Sequence, residues 1–303
     1  MESAHVETDG QRSCLLCGYQ CAPVLFAAGT RTRDIMRCVR CRLIFRRDPY
    51  DSAFGDEYYE KKDYGHLSPS WVDGRKAVFA PSLVRLEPHR QTNRLLDIGA
   101  GHGFFLAACQ DLNWEVSGVE ISQLAADFAA EVFGLSLERR PLEEVGYEDH
   151  FFDVVTLWNV LDQLPNPLEI LKEALRILRP GGVLVLRVPN AAFQVPARRF
   201  FCSLGPLRKY DVTVFHLYSL SRSTISSLLE QVGFVQVRIE VAPLVWTSKH
   251  GTDDHPAKQV VSKTVQGLAH LCSLFTRSRL ILSPSLLVGA TKPLTESATH
   301  PDP

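Results

Sequence analysis

The sequence has no excess of charge of either sign and no long apolar run. Its 303 residues carry 33 Lys and Arg against 34 Asp and Glu, and this balance excludes a protein that is basic over its whole surface and binds nucleic acid by charge alone. No apolar run reaches the roughly 18 residues that a membrane-spanning helix needs. Residues 1–13 are polar and acidic, unlike the basic and then apolar start of a signal peptide. We therefore expect a cytoplasmic protein in a reducing compartment.

Cysteines are concentrated near the start of the chain. Disulfides between them are not expected, because the compartment is expected to be reducing. Two C-x-x-C pairs, Cys14-Leu-Leu-Cys17 and Cys38-Val-Arg-Cys41, stand twenty residues apart. This spacing is typical of a tetrahedral zinc site with four thiolate ligands, and in so short a segment the metal would supply much of the folding free energy. We predict a structural Zn²⁺ bound by these four cysteines; incidental thiols or a redox pair are the alternatives.

From residue 94 onward, short apolar runs alternate with helical stretches, as in a parallel α/β sheet. We predict a Rossmann-like, mostly parallel seven-stranded sheet with helices on both faces, its strands near 95–98, 116–119, 135–137, 154–157, 183–188, 235–241 and 285–290. The predicted organisation is a disordered tail at 1–12, a zinc ribbon at 13–50, a linker or lid with a helix at 51–92, the α/β domain at 93–295 with an inserted helical cover at 244–283, and a tail at 296–303.

A glycine-rich turn, Asp97-Ile98-Gly99-Ala100-Gly101-His102-Gly103-Phe104, joins the first of these strands to a helix. Such a turn lets a ligand lie against bare backbone at the carboxyl end of the strand. A dinucleotide fingerprint needs a third glycine where Phe104 stands, and the Asp97 carboxylate would repel a pyrophosphate. The turn suits a ligand with positive charge, such as the ammonium and sulfonium of S-adenosylmethionine.

An acid, Glu120, ends the second strand about 20 residues after the turn, where a carboxylate can accept both ribose hydroxyls of a nucleoside. The turn and this acid are weak signals separately. Found together, at the ends of two successive predicted strands and with the expected spacing, they predict a binding site for S-adenosylmethionine.

Residues 94–241 resemble a class I S-adenosylmethionine-dependent methyltransferase. The glycine turn, Glu120, Phe152-Asp153-Val154-Val155 and Leu178-Arg179-Pro180-Gly181-Gly182 follow the family order. The ribbon followed by tyrosines resembles a bacterial subgroup with an N-terminal zinc-binding module, which includes sugar C-methyltransferases. The resemblance implies that the cofactor is bound by Asp97, Gly99, Gly101, Gly103, Glu120, Ile121, Leu142, Glu143, Trp158 and Asn159.

The residues near the acceptor depart from the family pattern. The sugar C-methyltransferases often carry His-Glu-His where this chain has Val214-Phe215-His216, and Asp162-Gln163 stands where Glu-His often precedes Leu-x-x-Pro. His216 is the candidate base, since imidazole titrates near pH 6.5, or else it packs the loop at the sheet edge. Tyr59 and Tyr218 are candidate acceptor contacts, with packing roles as the alternative.

Three functions stay open. The first is methyl transfer to the carbon or oxygen of a small molecule, such as a sugar, nucleotide-sugar or related metabolite; the basic and aromatic segment around Arg198, Arg199 and Phe200 could grip a phosphorylated or nucleotide-linked acceptor. The second is an RNA methyltransferase whose arginine-rich ribbon binds RNA. The third is a non-catalytic scaffold that binds the cofactor. The insertion at 244–283 could be a lid or contact a membrane surface.

Overall fold

A computed structural model describes residues 13–20, 23–26, 34–47, 69–203, 215–242, 247–248, 251–252, 264, 267, 275–276 and 281–294. Tyr59, both predicted tails, the linker up to residue 68 and most of the insertion at 244–283 lie outside the described residues. Within the described part, no helix is long and apolar enough to cross a bilayer.

The described strands are short near the N-terminus and longer in the α/β domain. They are β1 Val24–Phe26, β2 Ile35–Arg37, β3 Ile44–Arg46, β4 Arg94–Ile98, β5 Glu115–Val119, β6 Phe152–Trp158, β7 Leu178–Pro189, β8 Tyr218–Ser219, β9 Val235–Val241, β10 Thr247–Ser248, β11 Gly251–Thr252 and β12 Ser285–Thr291. The described helices are α1 Pro69–Ala77, α2 Ala80–Leu86, α3 Phe104–Gln110, α4 Gln123–Phe133, α5 Leu142–Val145, α6 Pro167–Ile177, α7 Ala191–Ser203 and α8 Arg222–Val232, with 3₁₀ turns at Glu87–His89 and Leu161–Gln163.

The central sheet has the strand order β5-β4-β6-β7-β12-β9 in the described part of the chain. Strands β5, β4, β6 and β7 run parallel, whereas β12 is antiparallel to both β7 and β9. The predicted Rossmann-like, mostly parallel α/β architecture is therefore confirmed. Because parallel strands share one direction, the carboxyl ends of β4, β5, β6 and β7 meet at one edge, where ligands bind in such sheets.

Six strands, rather than the predicted seven, form this sheet within the described residues. The segment near 135–137 contributes only an isolated bridge between Glu138 and Val119, with backbone hydrogen bonds from Glu138 to Gly118 and from Glu120 to Glu138. Pro141 follows almost at once. Since proline has no N–H to donate, the segment cannot continue as a ladder beside β5.

The N-terminal ribbon is joined to the α/β domain through a shared sheet. Strand β3 pairs antiparallel with β8, which brings Phe45 opposite Tyr218, and the ribbon sheet has the order β1-β2-β3-β8. Cys14 and Leu43 also belong to the same apolar core as Leu228 on α8. The ribbon is thus held against the large domain by both backbone pairing and apolar burial.

Candidate active site

The glycine turn has a backbone that only glycine adopts readily. Gly99, Gly101 and Gly103 have φ values of 71°, 54° and 76°. At Gly99, an added Cβ would also lie 2.5 Å from Cγ2 of Val160. The turn therefore presents bare backbone at the carboxyl end of β4, and Gly103 leads directly into α3.

Glu120 is buried at the end of β5 and is fixed to the glycine turn. Its Oε2 accepts a hydrogen bond from the backbone N of Gly101 at 2.7 Å, and its Oε1 accepts one from the N of Ser122 at 2.9 Å. An ionised carboxylate offers about four acceptor positions, so these two bonds do not by themselves exhaust it. The arrangement holds a carboxylate at the rim of the turn, where it can meet a ligand hydroxyl.

Asp97 lies beneath the turn, 2% exposed, and accepts a hydrogen bond on Oδ1 from the hydroxyl of Thr156 at 2.6 Å. Burial raises the pKa of Asp97 to about 8, and the charge of Glu120 adds to the rise against the opposing hydrogen bond from Thr156. A cation placed here would favour the ionised form. Two acids at one turn suit a cationic ligand with hydroxyl groups and would repel a diphosphate, so the donor set fits S-adenosylmethionine.

The other predicted cofactor residues lie around the same edge of the sheet. Ile121, next to Glu120, is 66% exposed, and Glu143 is exposed at the start of α5, whereas the side chain of Leu142 is buried in the large apolar core. Trp158 ends β6 and contacts the rings of Phe79 and Phe105, and the backbone N of Asn159 donates to the carbonyl of Arg187 at 2.9 Å.

His216 has an acidic neighbour that sequence analysis did not assign. Its Nε2 lies 3.9 Å from Oδ2 of Asp162, a fully buried residue in the 3₁₀ turn after β6. Neither carboxyl oxygen of Asp162 accepts a hydrogen bond from another described residue. Burial raises the pKa of Asp162 to about 7, whereas burial and the charge of Arg46 lower the pKa of His216 to about 4. The departure of Asp162-Gln163 from Glu-His was the only sequence signal for this acid.

The ribbon holds the backbone on both sides of His216. The backbone N of Arg46 donates to the carbonyl of Leu217 at 2.8 Å, and Nη2 of the same arginine donates to the carbonyl of Phe215 at 3.0 Å. The guanidinium of Arg198 lies 5.4 Å from the ring centre of Phe215, so this member of the basic segment packs against the His216 loop. Tyr218 is buried, and its hydroxyl donates to the carbonyl of Pro165 at 3.1 Å.

The four predicted metal ligands lie together. The Sγ atoms of Cys14 and Cys41 are 3.4 Å apart, those of Cys17 and Cys38 are 3.6 Å apart, and all four lie within 4.8 Å of one another. A tetrahedron of thiolates at the Zn–S distance of about 2.3 Å has edges of about 3.8 Å.

The two C-x-x-C pairs of this cluster have the same turn. Gly18 and Arg42 each follow the second cysteine of a pair, with φ values of 68° and 66°, and their backbone N atoms donate to the carbonyls of Cys14 and Cys38. The repeated turn and the four converging sulfur atoms fit a zinc ion.

Comparison with known proteins agrees with the fold and the turn. A family model described as a methyltransferase domain matches residues 72–239, more than half of the chain. A probable S-adenosylmethionine-dependent methyltransferase of Mycolicibacterium smegmatis is 27% identical over 148 residues, 48% of this chain and 54% of that protein. This chain therefore aligns with about half the length of that relative.

Two further proteins align over more of their own length. A ubiquinone biosynthesis O-methyltransferase of Burkholderia orbicola is 26% identical over 199 residues, 58% of this chain and 85% of that protein. The crystal structure of an S-adenosylmethionine-dependent methyltransferase from Archaeoglobus fulgidus covers 78% of this chain and 99% of its own, with a TM-score of 0.50 and 20% identity, and shows the fold alone. The family match, on a sheet of this topology, establishes that the chain belongs to the class I S-adenosylmethionine-dependent methyltransferases.

Proposed function

We propose that the chain transfers the methyl group of S-adenosylmethionine to the carbon or oxygen of a small molecule, such as a sugar, a nucleotide-sugar or a related metabolite. The observation that carries this proposal is the pair of acids, Asp97 and Glu120, beside a bare glycine turn at the carboxyl edge of the sheet. The relative named as a ubiquinone biosynthesis O-methyltransferase supports a small-molecule acceptor. A cytoplasmic location is part of the proposal, because thiols stay reduced and available to a metal there.

The cofactor would be held by the residues around the turn. When bound, it supplies a methyl carbon already activated by the sulfonium. Glu120 would accept the ribose hydroxyls, and Asp97 would face the cationic part of the ligand across the bare backbone of Gly99, Gly101 and Gly103. The remaining predicted contacts are Ile121, Leu142 and Glu143 on the adenine side, and Trp158 and Asn159 beneath the methionine and near the acceptor.

His216 would take the proton from the acceptor. Its low pKa keeps the imidazole neutral near pH 7, as a base must be before it accepts a proton. Once protonated, it would face Asp162, whose carboxylate would stabilise the imidazolium. Asp162 would thus act through His216, as a positioning residue.

The four-cysteine cluster would hold a structural Zn²⁺ that fixes the ribbon. Since β3 of the ribbon holds the backbone at Phe215 and Leu217, the metal would also fix the position of His216. Tyr59 and Tyr218 stay candidate acceptor contacts. For Tyr218 the packing role has more support, because its hydroxyl is already bonded to Pro165.

An RNA acceptor has less support. Arg46 bonds to the carbonyl of Phe215, and Arg47 lies 3.7 Å from Asp34, so two arginines of the basic ribbon make contacts within the protein. Exposed Arg40 and Arg42 are left as surface charges of this ribbon.

Calorimetry with S-adenosylhomocysteine tests the cofactor site. We expect Asp97→Ala and Glu120→Ala each to abolish measurable binding without unfolding the chain, because each removes a carboxylate from the turn. Glu115→Ala is the matched control: it removes an exposed acid from the first residue of β5 and should leave the affinity unchanged. Unchanged affinity for S-adenosylhomocysteine in both Asp97→Ala and Glu120→Ala would contradict the assignment of the cofactor site.

Methyl-labelled donor then identifies the acceptor class. Incubation with the protein and a cell extract, followed by separation of small molecules, lipids, RNA and protein, should place the label in the small-molecule fraction. Label in the RNA fraction would replace the proposal with the second hypothesis, and no transfer in any fraction would favour the non-catalytic scaffold.

A further inference from the structure

Two residues with buried N–H donors are neighbours on adjacent strands at the carboxyl edge of the sheet. Trp158, the last residue of β6, pairs directly with Arg187 on β7 in parallel register. In-register residues of neighbouring strands point to the same face, about 4.8 Å apart. The Nε1 of Trp158 and the Nε of Arg187 are both buried, and neither has a hydrogen-bond partner in the described part of the chain.

The charge of Arg187 is also uncompensated. Among the residues that the structure describes, no carboxylate forms an ion pair with this guanidinium, and its neighbour on the other flank is the apolar Leu287 of β12. Burial lowers the pKa of Arg187 from its usual value, which reflects the cost of holding the cation away from water. By contrast, Arg85 on the same side of the sheet is paired with Glu240 of β9.

The sheet register relates this pair of donors to the cofactor turn. Asp97 pairs with Thr156, which pairs with Val185, and Trp158 and Arg187 stand two residues further along on the same face. Two strand spacings across and two residues along place the Cα of Arg187 roughly 12 Å from that of Asp97. Because Trp158 lies on the strand between them, the glycine turn, the indole and the guanidinium follow one another along this edge of the sheet.

We propose that Arg187, with Trp158 beside it, binds an anionic group, a carboxylate or a phosphate, of the methyl acceptor. The planar guanidinium donates two parallel hydrogen bonds to either group, and the indole N–H adds a third donor. This proposal rests on the proposed function, because it assigns the acceptor to the edge of the sheet next to the cofactor turn. It narrows the substrate class to anionic metabolites, such as phosphorylated or nucleotide-linked sugars and carboxylic acids.

The same chemistry has a second source, the carboxylate of the methionine part of the cofactor. The two sources predict different results when an anion is added to protein that is already saturated with the cofactor. An acceptor site responds to a free anion while the cofactor is present, whereas a cofactor site is already filled.

Inorganic phosphate is a direct probe of this site. With ¹⁵N-labelled protein saturated with S-adenosylhomocysteine, we expect phosphate to shift the Nε–H signal of Arg187 and the indole signal of Trp158 in a saturable way. Trp158→Phe assigns the indole signal. Arg187→Gln should abolish the indole shift, and the control Arg85→Gln, which removes an exposed arginine already paired with Glu240, should retain both shifts.

The affinity for S-adenosylhomocysteine separates the outcomes. It should stay within about twofold of wild type in Arg187→Gln, since the cofactor does not use this guanidinium in our proposal; a tenfold loss would assign Arg187 to the cofactor carboxylate and overturn the proposal. The absence of any phosphate response in cofactor-saturated wild type would overturn it equally. If wild type fails to bind S-adenosylhomocysteine at all, the proposed function itself has failed.

A conservative variant guards against misfolding. Arg187→Lys keeps the charge but loses the planar fork, so phosphate should bind about tenfold more weakly while the fold is retained. Equal phosphate affinity in this variant and in Arg187→Gln, when both are folded, would show that the charge at this position does not bind the anion.

Discussion

The cofactor turn and the His216 region are built in opposite ways. The turn, Asp97 and Glu120 come from about 25 consecutive residues, and their contacts join neighbouring strands. The His216 region joins the ribbon near Arg46, the 3₁₀ turn that carries Asp162, and the loop around His216, stretches that lie more than 50 residues apart in sequence. The first region depends on local backbone conformation, whereas the second depends on long-range pairing. We therefore expect that a substitution can disrupt one region and leave the other intact.

Loss of the metal should produce the largest difference between the effects on the two regions, with turnover reduced and cofactor affinity retained. In Cys38→Ser, we expect zinc to be lost and turnover to fall about 100-fold or more, because the ribbon would no longer hold His216 in place and base catalysis contributes that much. Affinity for S-adenosylhomocysteine should stay within about threefold, since the turn lies outside the ribbon. Metal analysis, calorimetry and transfer of labelled methyl measure the three quantities.

The matched control for that variant is Cys202→Ser, which changes an exposed cysteine on α7 and should alter none of the three. An equal loss of cofactor affinity and turnover in Cys38→Ser would show that the two regions are one unit.

Gly99→Ala should damage the cofactor turn and leave the ribbon intact. The new methyl group would meet the side chain of Val160, at a residue whose φ is 71°. We expect a loss of about 2–4 kcal/mol in the free energy of unfolding and a weaker cofactor affinity, while zinc content is unchanged. Chemical denaturation and metal analysis measure these effects.

Gly146→Ala isolates the conformational part of that cost. Gly146 has a φ of 76°, but an added Cβ would meet nothing within 4 Å. The Gly146→Ala variant should lose only about 1–2 kcal/mol in the free energy of unfolding and should bind the cofactor normally. Equal losses of unfolding free energy in the two variants would mean that the Val160 side chain moves aside at no cost. The stability of the turn would then not depend on the close contact between Gly99 and Val160.

Asp162→Asn should have the smallest effect on the fold and one that depends on pH. Because the pKa of Asp162 is raised to about 7, the folded chain binds more protons than the unfolded chain between about pH 4 and pH 7. The contribution of this acid to stability therefore falls as the pH rises through that window. The asparagine variant lacks this loss, so its melting temperature relative to wild type should rise from pH 5 to pH 8.

Turnover gives the functional half of the same test. If Asp162 positions His216, the asparagine variant should lose kcat and change its pH profile while its affinity for S-adenosylhomocysteine stays normal. A melting-temperature difference that is constant between pH 5 and pH 8 would mean that Asp162 does not titrate in this range.

The sequence by itself determined the features that short stretches encode. The bounds of β9 agree with the strand predicted at 235–241, because alternation of side chains is a local signal. Helices α4 and α8 each end at a glycine in the left-handed conformation, Gly134 and Gly233, which is a local signal as well. The glycine turn and the two C-x-x-C pairs were predicted for the same reason, since each is a motif of a few residues.

Only the tertiary structure decided which distant residues meet. The pairing of β3 with β8, the approach of Asp162 to His216 and the unpaired donors of Trp158 and Arg187 have no local signature. The same limit explains the strand count, because whether the segment before Pro141 extends the sheet depends on the edge of β5 as well as on its own residues. Contacts of this kind form only when the core closes around them, and a pattern within one stretch of chain carries no information about the surface against which it will pack.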